Sequence, residues 1–175
     1  MSIGASPLKL NLGAGNNRVE GFVSVDLYDE AADGRADIAE LPFGNNSVDE
    51  IVCYQVIEHV PYNKSQQIFE EMYRVLKPGG TARIETPDID YVCQAILNEG
   101  LQDKWIYNLV GEYYRPWDKD RYADWEHNAA SIHRNPWNEE RLVRICSPIG
   151  FDVERLDWKT SQYPYPENMA VCLTK

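Results

Sequence analysis

The run Leu8-Lys9-Leu10-Asn11-Leu12-Gly13-Ala14-Gly15 decides how the rest of this chain folds. Leu8, Leu10 and Leu12 alternate with Lys9 and Asn11, which is the period of a strand. Gly13 and Gly15 follow where the chain must turn. Without a Cβ, they let the backbone bend sharply and a ligand come close. Ligands of open parallel sheets bind outside the carboxyl ends of the strands. The first strand therefore delivers its chain into a binding site.

The next apolar run, Phe22-Val23-Ser24-Val25-Asp26, ends in a carboxylate. An acid at the tip of the strand after a glycine turn can accept hydrogen bonds from both hydroxyls of a ribose. A dinucleotide fingerprint needs a third glycine and an acid about 20 residues further on. Here Arg18 holds the third glycine position, and Asp26 lies eleven residues after Gly15. The spacing argues against a nicotinamide or flavin dinucleotide and for a smaller nucleoside ligand.

Composition narrows the class. The chain of 175 residues fits one domain with a proper core, and 43% apolar with 26% charged residues marks it as globular. A formal net charge of −11 offers none of the counterion release that drives nucleic-acid binding, and it disfavours an anionic membrane surface. Cys53, Cys93, Cys146 and Cys172 form no Cys-x-x-Cys pair and each sits among apolar residues. They read as reduced core residues of a cytoplasmic protein, and no metal site is expected. The first residues, Met1 to Pro7, lack the pattern of a signal peptide, and no apolar run approaches a membrane span.

The rest of the chain alternates strand and helix, which predicts an α/β fold with a mostly parallel sheet. Only about nine residues, Gly13 to Gly21, separate the first two strands, so the first crossover helix is cut to about one turn. Arg35 to Ile38 reads as a short third strand and Val48 to Tyr54 as the fourth. A helix with Asn63 as N-cap and Gln66 as capping-box partner carries Ile68, Met72, Val75 and Leu76 on one face. Lys77-Pro78-Gly79-Gly80 stops it through a left-handed glycine, and Thr81 to Thr86 is the fifth strand. Asp88 caps a helix with face Ile89, Val92, Cys93 and Ile96; Asp103 caps another with Trp105, Ile106, Leu109 and Val110. Between Gly111 and Trp137 the periodicity breaks, in a segment rich in Tyr and Trp that also holds His127 and His133. Asn138 then caps a helix with Leu142, Ile145, Cys146 and Ile149 inside, and Gly150 ends it. Phe151 to Trp158 and Met169 to Thr174 complete the strands.

Three segments in this order resemble a known family: Leu10-Asn11-Leu12-Gly13-Ala14-Gly15; Leu41-Pro42-Phe43 through Ser47-Val48-Asp49; and Glu58-His59-Val60 followed by Tyr73-Arg74-Val75-Leu76-Lys77-Pro78-Gly79-Gly80. They resemble class I S-adenosylmethionine-dependent methyltransferases. Within that family they look most like the small bacterial enzymes linked to sugar and polysaccharide biosynthesis. The resemblance implies a Rossmann-like seven-stranded sheet in the order 3-2-1-4-5-7-6, with the seventh strand antiparallel and helices on both faces. It implies one methyltransferase domain over residues 1–175, with a helical and aromatic acceptor-binding insertion at about 88–137.

It also implies roles. Gly13, Ala14 and Gly15 pass under the methionine and ribose of S-adenosyl-L-methionine, with Asn11 near the methionine end. Asp26 takes the ribose hydroxyls, with Leu27 beside it. Asp37 accepts from the adenine amino group, the Ile38 backbone meets the ring, and Leu41 packs on its face. Gln55 marks where the main chain binds the methionine amino group, and His59 borders the site. Many family members have an acid where Asn11 stands. The acceptor is a small molecule, a hydroxyl or amine of a saccharide or related metabolite. Methyl transfer is an in-line displacement that chiefly needs positioning, and an oxygen acceptor also needs a base. His133 and His127 are the candidates, ahead of the strand-tip acids Glu85 and Asp88. The aromatic segment from Trp105 to Trp137 reads as the acceptor-binding cover. The alternative is a non-catalytic methyltransferase-fold module that binds cofactor or partner.

Overall fold

The computed structural model describes residues 6–111 and 132–175. Its centre is the predicted first strand, β1 (Lys9–Leu12). Parallel to β1 run β2 (Val23–Asp26) on one side and β4 (Val48–Tyr54) on the other. Outside β2 lies β3 (Gly34–Arg35), and beyond β4 come β5 (Leu76–Pro87), β7 (Asn168–Thr174) and β6 (Asp152–Leu156). The order is 3-2-1-4-5-7-6, with β7 antiparallel to both its neighbours. This is the seven-stranded arrangement expected.

Because both faces of the central strands are covered, β1 does not alternate between core and water. Leu10 and Leu12 are buried, but so is Asn11. Its amide finds a partner in the turn it supports, donating to the Asn17 carbonyl at 2.7 Å. The β1–β2 crossover contains two hydrogen-bonded turns, Asn17 N–H to Ala14 C=O at 2.7 Å and Phe22 N–H to Val19 C=O at 3.1 Å.

The third strand is shorter than predicted. It ends at Arg35 because the chain turns at Asp37, whose side chain accepts from Ala39 N–H (2.9 Å) and whose carbonyl accepts from Glu40 N–H (2.9 Å). Asn63 does not cap the next helix. Pro61 opens a 3-10 turn over Tyr62–Lys64, and α1 (Ser65–Val75) continues from it without a side-chain cap. Nor does a left-handed glycine stop α1. Leu76 turns extended at ψ 138° and starts β5 directly. Pro78 holds the residue before it out of the helical region, and the stretch to Gly80 is absorbed as a register shift against β4.

The main core lies where α1 and α4 (Glu139–Ile149) pack together against the sheet. Ile68, Phe69, Met72 and Val75 of α1 meet Leu142 and Cys146 of α4, with Trp137 edge-on to Phe69 at 5.7 Å. Asn138 caps α4 as expected, accepting from Arg141 N–H at 2.9 Å. Loss of that cap in Asn138→Ala is expected to cost about 1 kcal/mol, read as a lower urea midpoint with an unchanged slope.

Asp88 likewise caps α2 (Ile89–Glu99). The buried face of α2 is Val92 and Ala95, whereas Cys93 is exposed and Ile96 only half-buried. This narrower face arises because α2 packs on α3 (Asp103–Val110), closing a small separate core around Trp105. Asp103 is the first residue of α3, and no side chain caps that helix. Ile106 and Val110, expected inside, are exposed. Cys53 and Cys146 are buried and Cys172 half-buried. Among the described residues, no helix is long and apolar enough to cross a membrane.

Candidate functional site

The carboxyl ends of β1, β2 and β4 open on one cleft of about 580 Å³. That volume falls in the range of small-molecule sites. Its floor is the glycine turn. Gly13 has φ +62° and Gly15 φ +46°, a region that glycine enters without penalty. The Gly13 N–H donates to the Val25 carbonyl at 2.8 Å, which ties the turn to β2. Gly13 also has no room for a side chain, since a Cβ there would stand 2.5 Å from both methyls of Val56. At Gly15 nothing lies within 4 Å of such a position.

Asp26 closes the floor at the tip of β2. Its Oδ2 accepts from Gly15 N–H (2.9 Å), and its Oδ1 from Tyr28 N–H (2.8 Å) and Asp29 N–H (2.9 Å). A carboxylate offers about four lone-pair sites, so one on Oδ2 remains for a ligand. The acid thus shapes the turn as well as facing the cleft. Arg18 braces the same loop by pairing with Asp29 and with the Gly15 carbonyl.

Asp37 and Ile38 form the next wall. Burial works against the Asp37 charge, but the hydrogen bonds from Lys64 and Ala39 outweigh it and hold its carboxyl below the usual range. Lys64, which binds Asp37 at 2.7 Å, is a wall residue that sequence reading missed. Nothing in a one-dimensional pattern links residues so far apart.

Past β4, Gln55 takes φ +57°, uncommon for a residue with a side chain. Its backbone N–H is held by the Glu85 carbonyl at 2.8 Å. Its Nε2 is buried and has no hydrogen-bond partner among the described residues. A strained backbone and an unpaired buried donor at a cleft wall point to a ligand group that completes the site. Val56, His59 and Arg134 continue this wall.

His59 and His133 stand edge-on with ring centres 4.9 Å apart. Burial, reinforced by His133, pushes His59 down to about 4. Burial also lowers His133, against the pull of its hydrogen bond to Asn108. Both rings are neutral at neutral pH. His59 lines the cleft, and His133 lies behind it.

Of the residues expected around the cofactor, Gly13, Gly15, Asp26, Leu27, Asp37, Ile38, Gln55 and His59 line this one cleft. Asn11, Ala14 and Leu41 are buried and do not line it: Asn11 props the turn, and Leu41 belongs to the main core. The two strand-tip acids are used structurally. Glu85 accepts from Arg83, Gln162 N–H and Tyr163 N–H, while Asp88 caps α2 and pairs with Arg155. Trp105 and Trp137, the ends of the aromatic segment, are core residues and not part of a cover. His127, along with Tyr113, Tyr114, Trp117, Tyr122 and Trp125, lies outside the described residues.

Residues 14–84 match the family model of a methyltransferase domain. A stretch of 51 residues is 45% identical to a probable S-adenosylmethionine-dependent methyltransferase of Mycolicibacterium smegmatis; it spans 29% of this chain and 19% of that protein. A SAM-dependent methyltransferase from Archaeoglobus fulgidus superposes with a TM-score of 0.63 at 15% identity, covering 98% of this chain and 87% of its own. A SAM-dependent methyltransferase from Thermotoga maritima, a possible histamine N-methyltransferase, gives 0.60 at 15% identity over 99% and 84%. Phosphoethanolamine N-methyltransferase 2 of Haemonchus contortus, solved with S-adenosylhomocysteine, gives 0.53 at 17% identity over 98% of this chain and 50% of its own. At these identities the structural likeness is one of fold. Residues 14–84 thus resemble a methyltransferase domain, and the chain shares the Rossmann-like fold of the superposed methyltransferases.

Proposed function

We propose that this chain transfers a methyl group from S-adenosylmethionine, bound in the cleft at the ends of β1, β2 and β4, to a small-molecule acceptor. The observation that carries the reading is the Asp26 carboxylate. It stands beside the bare backbone of Gly13 and Gly15 with one lone pair unspent. A ribose hydroxyl is the donor it suits.

The other walls suit the remaining parts of the same molecule. Asp37 has lone pairs left for an adenine amino group after binding Lys64 and Ala39. The Ile38 backbone borders the place for the ring. Gln55 Nε2 is a buried donor that the carboxylate of an amino-acid end would satisfy. When bound, the cofactor supplies an activated methyl on its sulfonium. The chain's task is then to hold the acceptor in line and to keep water out.

The acceptor reading is a hydroxyl or amine of a saccharide or related metabolite. It rests on the net charge of −11, which repels polyanions, and on the aromatic residues between Trp105 and Trp137. His133 and His127 remain the residues proposed as base. The His133 Nδ1 is committed to the Asn108 carbonyl at 2.9 Å, so its Nε2 is the atom through which it would act.

Calorimetric titration with S-adenosylmethionine and S-adenosylhomocysteine tests the reading. Micromolar binding is expected, weakened about 100-fold in Asp26→Asn, because a charge-assisted hydrogen bond contributes up to about 3 kcal/mol. Asparagine retains an oxygen for Tyr28 and Asp29, and a melting curve checks that the turn survives. A folded protein that binds neither compound would refute the proposal.

A further inference from the structure

Three side chains, Glu58, His59 and His133, meet at the His59 wall of the cleft. Glu58 is 2% exposed and accepts from the Thr86 hydroxyl at 3.0 Å through Oε2. Its Oε1 is buried, has no hydrogen-bond partner among the described residues, and lies 3.9 Å from His59 Nε2. One donor atom from each of Glu58, His59 and His133 lies within 4.8 Å of the others.

Both imidazoles are turned the same way. His59 Nδ1 faces the Ile132 carbonyl at 3.3 Å, and His133 Nδ1 faces the Asn108 carbonyl at 2.9 Å. A carbonyl only accepts, so each Nδ1 carries the hydrogen and each Nε2 carries a lone pair. That is the arrangement by which a protein orients metal-binding histidines. A buried carboxylate oxygen facing an imidazole lone pair is repelled unless a proton or a cation stands between them.

We propose that Glu58 Oε1, His59 Nε2 and His133 Nε2 bind one divalent transition-metal ion of the zinc or cobalt kind. Two imidazoles and one carboxylate are a donor set for such an ion, whereas magnesium and calcium take oxygen ligands. A tetrahedral shell about 2.1 Å in radius sets its donors about 3.4 Å apart. The three donor atoms, within 4.8 Å of one another, would draw together by up to about 1.4 Å on binding the ion. Three protein ligands leave a coordination position open, and His59 lines the cleft, so the open position serves an oxygen or nitrogen donor of whatever the cleft holds beside the cofactor. The sequence offered no sign of this: the ligands are adjacent at 58 and 59 but the third is at 133, and no metal spacing links them.

The proposal competes with the role of His133 as base, because Nε2 cannot serve both. The test uses the full chain, stripped with a chelator and free of S-adenosylmethionine, so that it stands apart from the cofactor reading. Calorimetry with Zn²⁺ is expected to show one equivalent bound at micromolar affinity or tighter. Co²⁺ is expected to develop the visible absorption of a nitrogen- and oxygen-coordinated ion. Glu58→Gln and His133→Asn should each weaken Zn²⁺ binding at least about 100-fold while melting as cooperatively as the parent chain, and excess Mg²⁺ should not displace the ion. Were one variant to misfold, the other together with the Co²⁺ spectrum still decides. Weak binding at several sites in the parent chain, or an affinity that neither substitution changes, would overturn the proposal. Glu58 would then carry a proton shared with His59, and His133 Nε2 would be free for the base role.

Discussion

Gly13→Ala is expected to destabilise the protein by about 2–5 kcal/mol, whereas Gly15→Ala costs only about 1–2 kcal/mol. Two terms separate the substitutions. Both residues have positive φ, +62° and +46°, so any Cβ costs about 1–2 kcal/mol of backbone strain at either. Only at Gly13 does the new carbon also collide, standing 2.5 Å from both Val56 methyls. Over-packing of that kind costs about 1–3 kcal/mol more. Val56 cannot simply withdraw, because it follows Gln55, whose N–H is fixed to the Glu85 carbonyl at 2.8 Å. Urea unfolding of the two variants reads the difference. Adding Val56→Ala to Gly13→Ala should recover the steric part and leave the backbone part. Equal stabilities for the two glycine variants would mean that the turn yields where the structure holds it tight. The functional cost follows the same geometry: displacement of Val56 deforms the cleft wall between Gln55 and His59, so the Gly13 variant loses cofactor affinity even where it still folds.

Much of this arrangement is written in local pattern. The alternation of Leu8, Leu10 and Leu12, the glycines after them and the acid closing the next strand place β1, its turn and Asp26 together without knowledge of anything distant. The same is true of Asp88 and Asn138 as caps, since capping is a contact between near neighbours. What failed turned on context that the local pattern does not carry. Cys93 reads as core on a helical face, but among the described residues α2 packs on α3, and its buried stripe is two residues wide. Asn63 has the chemistry of a cap, yet a 3-10 turn begun at Pro61 already serves the first N–H groups of α1. Trp137 sits in an aromatic-rich segment and reads as part of a cover, but the isolated bridge it forms with Asp88 carries it into the main core against Phe69. Lys64 at the cleft wall, and the meeting of Glu58 with His133, are pairings across 27 and 75 positions that only the fold creates.

Glu58 gives the second large effect, and its sign can be worked out. Burial pushes its carboxyl up to about 8, and hydrogen bonds from the backbone and Thr86 offset only part of that. In the unfolded chain a glutamate titrates near 4.3. Between these values the unfolded state releases the proton and the folded state keeps it, so the folded state binds more protons and stability falls as pH rises. The contribution is fully present below about pH 4, declines steadily above it, and is spent by about pH 8. Over that window the metal-free protein is expected to lose on the order of 5 kcal/mol through this group alone. His59 works the other way, since its folded value near 4 lies below its ordinary one, and its destabilising contribution fades as pH rises from 4 to 6.5. The two are separated by substitution. Glu58→Gln keeps an oxygen for the Thr86 hydroxyl and removes the ionisation, so it should flatten the upper half of the profile and be more stable than the parent at pH 8 in the presence of a chelator. Urea unfolding at pH 5, 6.5 and 8 measures this. A parent profile that stays level from 6.5 to 8, or a glutamine variant that follows the parent across it, would show that Glu58 is already ionised and stabilised by a positive charge beside it.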